Sequence, residues 1–475
     1  MGGVQFWDMS VWTFIIELGV LFGAMLLANF LRRTIGPLRK SLIPSAVIGG
    51  FILLLANFLY QKITGYALFA KLDMELFTYH CLGLGFIALA LKSNDRQNSN
   101  TNGKDIFNTG VTVVATYLIQ AVVGLGITFG LSYLINNWAN SGLLLPMGYG
   151  QGPGQAYNWG SIYQGYTEYP AFANGASFGL TVAAMGFVCA SVGGVYHLNK
   201  MRRRGDKRAQ VANAEEMEDL SAESVTRKGE IPLSESLDKL TVQFGLIFVT
   251  YFISFAAMYG VTLFLDKAGD FAVNTIKPLL WGFNFLVGTA FAMAGRAILR
   301  FFRKRGYMTR DYTNDFMLNR ISGLMFDVMV VASIAAIDLS AFRYREFWLP
   351  LILVCVIGAA LTFLYNRFMC HKLFPGYEDE AFLSLYGMLT GTASTGVILL
   401  REIDPLFDTP ASHNLIYQNL WSIVLGAPML LLLGFVARSM MWTWLCLGIF
   451  VVLLIVMVTI QLLGARRIGK EAGQE

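Results

Sequence analysis

LPMGYGQGPGQAYNWGS (Leu145–Ser161) and YGMLTGTASTGVILLREIDP (Tyr386–Pro405) are the two stretches where the long apolar segments of this chain lose their regularity. The first holds Gly148, Gly150, Gly152, Gly154 and Gly160, with Pro146 and Pro153. Such a run cannot stay a regular helix, because glycine is conformationally free and proline removes a backbone donor. The second is a small, hydroxyl-rich turn: Thr390, Gly391, Thr392, Ser394, Thr395 and Gly396. Both sit in a chain of 475 residues that is 55% hydrophobic and only 14% charged, against about 25% charged in an ordinary soluble domain. A bilayer-spanning helix takes about 20 apolar residues, so the apolar total suffices for about twelve. This composition excludes a soluble enzyme, a disordered chain and a nucleic-acid binder. It implies an all-α polytopic membrane protein.

Around the two stretches, unbroken apolar segments predict about 11 transmembrane helices. They fall near Val11–Phe30, Leu42–Tyr60, Leu76–Leu91, Thr109–Ile135, Ala173–Tyr196, Phe244–Leu265, Ile276–Ala297, Ile321–Ala341, Trp348–Phe368, Leu415–Leu433 and Trp442–Leu463. Basic clusters set the orientation. They are LRRTIGPLRK (Leu31–Lys40), Lys92 with Arg96 and Lys104, KMRRRGDKR (Lys200–Arg208), Arg296 to Arg310, and Arg466 with Arg467 and Lys470. With all of these in the cytoplasm and the N-terminus outside, the alternation closes on one condition. Each broken stretch, about 142–163 and 381–400, must enter and leave the membrane on the same side. The first opens from outside and the second from inside.

An inverted repeat follows. From Leu42 the order is three spans, a hairpin and a span; from Ile276 the same order recurs in the opposite sense. Residues 1–199 then form an N-terminal half with the first hairpin. Residues 200–240 form a polar cytoplasmic linker, with a regulatory or lipid-contacting role as its functional reading. Residues 241–435 hold the second repeat, and 436–475 add a last helix and a cytoplasmic tail.

Freed helix N-termini attract carboxylates, and freed carbonyls attract cations. Gly152, Gly154, Gln155 and Asn158 in the first hairpin, and Thr392, Ser394 and Thr395 in the second, are therefore expected to bind substrate. Arg401, four residues beyond Val397, is placed to clamp a substrate carboxylate. Ser161, Thr390 and the membrane-embedded Asp327 are the expected ion-binding residues. No metal other than Na⁺ and no cofactor is expected. The cysteines (Cys81, Cys189, Cys355, Cys370, Cys446) and histidines (His80, His197, His371, His413) are dispersed, without metal-site spacing. No paired acid/base motif, HExxH or nucleophile elbow points to an enzyme.

Three motifs resemble the bacterial sodium/glutamate symporter family. IPSAVIGG (Ile43–Gly50) resembles its early Ile-Pro-x-x-Val-x-Gly-Gly segment. GQGPGQAYNWGS (Gly150–Ser161) occupies the place of its Gly-Gly-His-Gly-Thr hairpin, and LTGTASTGVILL (Leu389–Leu400) that of its second hairpin. The resemblance runs from about Val11 to Leu433. Pro153 stands where the family has His and Gln155 where it has Thr, and Trp442–Leu463 looks like an addition. The resemblance implies a homodimer with an elevator-type transport domain that carries Na⁺ and glutamate, or a related small carboxylate, inward across a bacterial cytoplasmic membrane. A proton-coupled or exchange transporter on the same scaffold is the alternative, and a passive channel the next.

Overall fold

The computed structural model describes residues 6–92, 103–165, 172–206, 238–308, 310–405 and 407–472, and these are helical with no strand among them. The helices are α1 (Met9–Thr34), α2 (Gly36–Lys40), α3 (Ser45–Thr64), α4 (Lys71–Leu91), α5 (Gly103–Ser132), α6 (Pro153–Gln164), α7 (Gly175–Arg203) and α8 (Lys239–Leu265). They continue as α9 (Lys277–Gly282), α10 (Asn284–Lys304), α11 (Asp315–Ala335), α12 (Arg345–Leu373), α13 (Glu378–Thr390), α14 (Ala393–Arg401), α15 (Ala411–Tyr417), α16 (Asn419–Val436) and α17 (Met440–Ala472). Ten are long and apolar enough to cross a membrane, or 11 if the bent pair at Ala411–Val436 counts as one span. Apolar side chains such as Phe264, 77% exposed, stand on their outer faces. A helix that is apolar all round belongs in lipid, so the chain is a multi-pass membrane protein.

One expected span differs from the sequence reading. The span expected at Ile276–Ala297 is helix α10, which starts at Asn284 and runs to Lys304. The non-helical Phe283 separates the turns before it. The basic stretch from Arg296 is thus partly helical. The expected linker lies largely outside the described residues, as does Arg96.

The chain divides into two compact units. The second comprises Tyr79–Thr101 and Asn213–Met329. Its core is Leu84, Ile87, Ala88, Leu91, Ile247, Ala292, Leu318 and Ile321. Polar bonds tie its helices: Tyr79 to the Trp281 carbonyl at 2.8 Å, and Ser322 to the Gly85 carbonyl at 3.0 Å. Asn284 is buried with its amide 3.4 Å from the Tyr251 hydroxyl, which is helix-to-helix bonding. The division falls inside α4 and α11, the second span of each expected repeat.

The first unit comprises Met1–Thr78, Asn102–Ala212 and Val330–Glu475, and it holds both broken stretches. In lipid, helices associate through close packing and hydrogen bonds rather than through water exclusion. Here a polar ladder joins α17, α5 and α12. Gln461 accepts from Tyr365 and donates to Thr112 at 2.8 Å. Thr116 donates to the Thr112 carbonyl at 2.7 Å, and Asn366 reaches Thr116 at 3.4 Å. Gln120 closes the ladder, donating to Thr362 at 3.0 Å and to the Leu389 carbonyl at 2.9 Å. The C-terminal helix is therefore bonded into this bundle. Gln461→Leu is expected to cost about 1 kcal/mol, read as a lowered unfolding temperature in detergent. An unchanged unfolding temperature would show the ladder to be incidental.

Candidate functional site

The path of each broken stretch can be read from its neighbours along α5, α7 and α12. After α5, Thr128 donates to the Ala139 carbonyl at 2.6 Å and accepts from the Gly142 amide at 3.1 Å. Gly142 then lies against Gly124, and Tyr117 bonds the Gly150 carbonyl at 3.0 Å. As the chain advances from 139 to 150, its partner on α5 retreats from 128 to 117. Past the break, Ala156 packs on Gly179 and Gly160 on Gly175 of α7. So α6 runs back to the end from which the stretch came. Trp138 closes that end, stacked on Phe172 at 4.7 Å and set against Tyr163 at 4.9 Å.

The second stretch does the same from the other end of α7. Asp379, at the start of α13, bonds His197 at 2.9 Å and Arg367 at 2.8 Å. Tyr386 donates to the Cys189 carbonyl at 3.0 Å, and the Thr390 carbonyl lies against Gly186. Helix α14 then returns, with Gly396 on Gly387 and Leu399 on Gly194. The tips meet near the middle of α7. A Cβ built on Gly152 would stand 3.4 Å from the Thr392 methyl.

Two helix N-termini therefore converge. Gly152, at φ +86°, turns the chain into α6, a conformation glycine adopts without strain. Thr392, in extended backbone, opens α14. Neither start has a side-chain cap. The first intrahelical bonds are from Ala156 to the Gly152 carbonyl and from Gly396 to the Thr392 carbonyl. The earlier amides, of Gly154, Gln155, Ala393, Ser394 and Thr395, have no intrahelical partner. Each N-terminus carries about half a positive charge, so the pair matches about one carboxylate. The preceding turns, Pro146–Gly150 and the end of α13, bring carbonyl-rich C-termini to the same depth. The Gln155 side chain, 1% exposed in the first turn of α6, has no hydrogen-bond partner on either amide atom among the described residues. A buried amide left so costs about 1–3 kcal/mol.

The family model described as sodium/glutamate symporter matches residues 11–264, just over half of the chain. The chain belongs to that family. Comparison with curated proteins and with solved structures gives no match. The matched range includes the first hairpin of the symporter and ends before the second.

Of the expected site residues, the symporter brings Gly152, Gly154, Gln155, Thr392, Ser394 and Thr395 to the two helix starts. Asn158 is buried one turn along α6. Thr395 is buried, Ser394 is exposed, and the Thr392 and Thr395 hydroxyls lie 3.4 Å apart. Thr390 ends α13, its hydroxyl donating to the Tyr386 carbonyl at 2.6 Å. Ser161 lies about two turns from the tip, half-buried on the face of Tyr157, whose hydroxyl is 3.4 Å from Glu75. Arg401 is not brought to the tip. It ends α14 about 13 Å along the helix, exposed, with its guanidinium 5.2 Å from the Phe407 ring. Asp327 belongs to the second unit, exposed and without a hydrogen bond or ion pair among the described residues.

Sequence reasoning missed Tyr117 and Gln120, which hold the tip carbonyls of Gly150 and Leu389. A glutamine inside the apolar run YLIQAVVG was the available signal for Gln120. It also missed Glu17, 5% exposed in α1. An acid inside the apolar run IIELGVL is the same signal that singled out Asp327. Asp338 lies between spans. Burial raises its carboxyl, but bonds from Ser340 and the charge of Lys71 outweigh that and hold it below the usual carboxylate range.

Proposed function

We propose that the symporter couples Na⁺ entry to uptake of glutamate or a related small carboxylate, with the two hairpin tips as the common site. The observation that carries this reading is the pair of uncapped helix starts meeting at mid-depth beside the unpartnered Gln155 amide. Amides of Gly154, Gln155, Ser394 and Thr395 would bind the carboxylate. Among the described residues no group of three His, Cys, Asp or Glu side chains could hold a metal ion. Neutral oxygens suit Na⁺ here: the tip carbonyls and the hydroxyls of Thr390, Thr392 and Thr395. Pairing cation with anion lowers the electrostatic cost of carrying either through lipid.

The same proposal has a homodimer in a bacterial cytoplasmic membrane, N-terminus outside, moved as an elevator. Hairpins opening to opposite ends of α7 support alternating access. In proteoliposomes, uptake is expected to follow an inward Na⁺ gradient and to stop when choline replaces Na⁺. Uptake that ignores Na⁺ and collapses with ΔpH would replace sodium by protons.

A further inference from the structure

The last turns of α7 place His197, Lys200, Met201 and Arg204 on one face, at helical spacing. Opposite them stand Arg367 of α12 and Asp379 of α13, and together with Asp206 they line a cavity of about 160 Å³ at the base of the second hairpin. We propose that this cavity binds a phosphate group, from a phospholipid headgroup or from a free phosphate-bearing solute.

The argument is one of charge that is not spent. Asp379 is matched: its Oδ1 takes both His197 at 2.9 Å and Arg367 at 2.8 Å. Phe382 holds two of the lining groups in place, its ring 4.6 Å from the His197 ring and 5.9 Å from the Arg367 guanidinium. Arg367 uses one terminal nitrogen on Asp379 and keeps the rest of its planar fork. The side chains of Lys200 and Arg204 make no hydrogen bond or ion pair among the described residues. Three cations thus border one cavity, which Asp206 also lines. A fork and two mobile cations suit a tetrahedral anion. The cavity also lies at the basic end of the bundle, where pockets between membrane helices take anionic headgroups. An occupant would tie α7 to α12 and brace the hairpin base. The substrate site plays no part in this, so the inference stands apart from the proposed function.

The test uses the full-length protein in detergent, titrated with dioctanoyl-phosphatidylglycerol or with inorganic phosphate while unfolding temperature is followed. Lys200→Gln with Arg204→Gln removes the two exposed cations without touching the Asp379 bonds. Arg33→Gln, on the exposed end of α1, controls for charge alone. A saturable rise is expected in wild type and in the control, with the half-effect concentration at least tenfold higher in the double variant. A rise with the lipid only assigns a headgroup; a rise with phosphate as well assigns a site open to free solutes. Equal shifts in wild type and double variant, or no shift with either probe, would overturn the proposal.

Discussion

Replacing Gln155 with leucine is expected to lower substrate uptake about 10- to 100-fold while leaving the folded protein as stable as before, or more so. The two effects have opposite signs for one reason. Both amide atoms of Gln155 are buried without a partner among the described residues. Leucine has nearly the same size and nothing to satisfy, so it removes a cost of about 1–3 kcal/mol. With substrate, the amide gains a charged partner. A hydrogen bond to a charged group is worth about 1.5–3 kcal/mol, and each 1.4 kcal/mol is about tenfold. Uptake kinetics and unfolding temperature on the same preparation check both halves. A variant that loses stability along with transport would make Gln155 a packing residue. One that keeps full uptake would remove it from the site.

Gly142→Ala is expected to prevent the first hairpin from seating. A Cβ at Gly142 would overlap the carbonyl of Gly124 and crowd the Leu125 amide. Overpacking usually costs about 1–3 kcal/mol because side chains can shift. Here the obstacle is helix backbone. The arm would have to leave α5 and give up the 3.1 Å bond from the Gly142 amide to Thr128. The cost should reach the top of that range, seen as a collapse in folded yield and unfolding temperature. Gly126→Ala is the control on the same helix. Its Cβ meets nothing within 4 Å, and helix propensity there favours alanine by about 1 kcal/mol. Equal behaviour of the two variants would mean that the close approach of Gly142 to α5 is not needed.

The hairpins were legible because their composition is incompatible with a spanning helix, and their opposite senses because basic loops left no other way to close the alternation. The meeting of the tips needed the register of Gly152 and Thr392 along α7, which no local pattern encodes. Arg401 was misjudged for a related reason. Four residues from Val397 is one helical turn, but α14 runs away from the tip, so each turn carries its side chains toward the base. The start of α10 was missed because Leu279, Leu280 and Trp281 before it are apolar and helical, and only the backbone at Phe283 breaks the helix. Gln155 was chosen for its polarity, but that its amide lacks a partner is a property of packing alone.

The most direct measurement is a structure of the protein with saturating L-glutamate and Na⁺. The account predicts a carboxylate between the starts of α6 and α14, within hydrogen-bond distance of the Gln155 amide, and a cation among the adjoining carbonyls and threonine hydroxyls. Glutamate bound elsewhere, with Gln155 still unpartnered and the two turns unchanged, would contradict it.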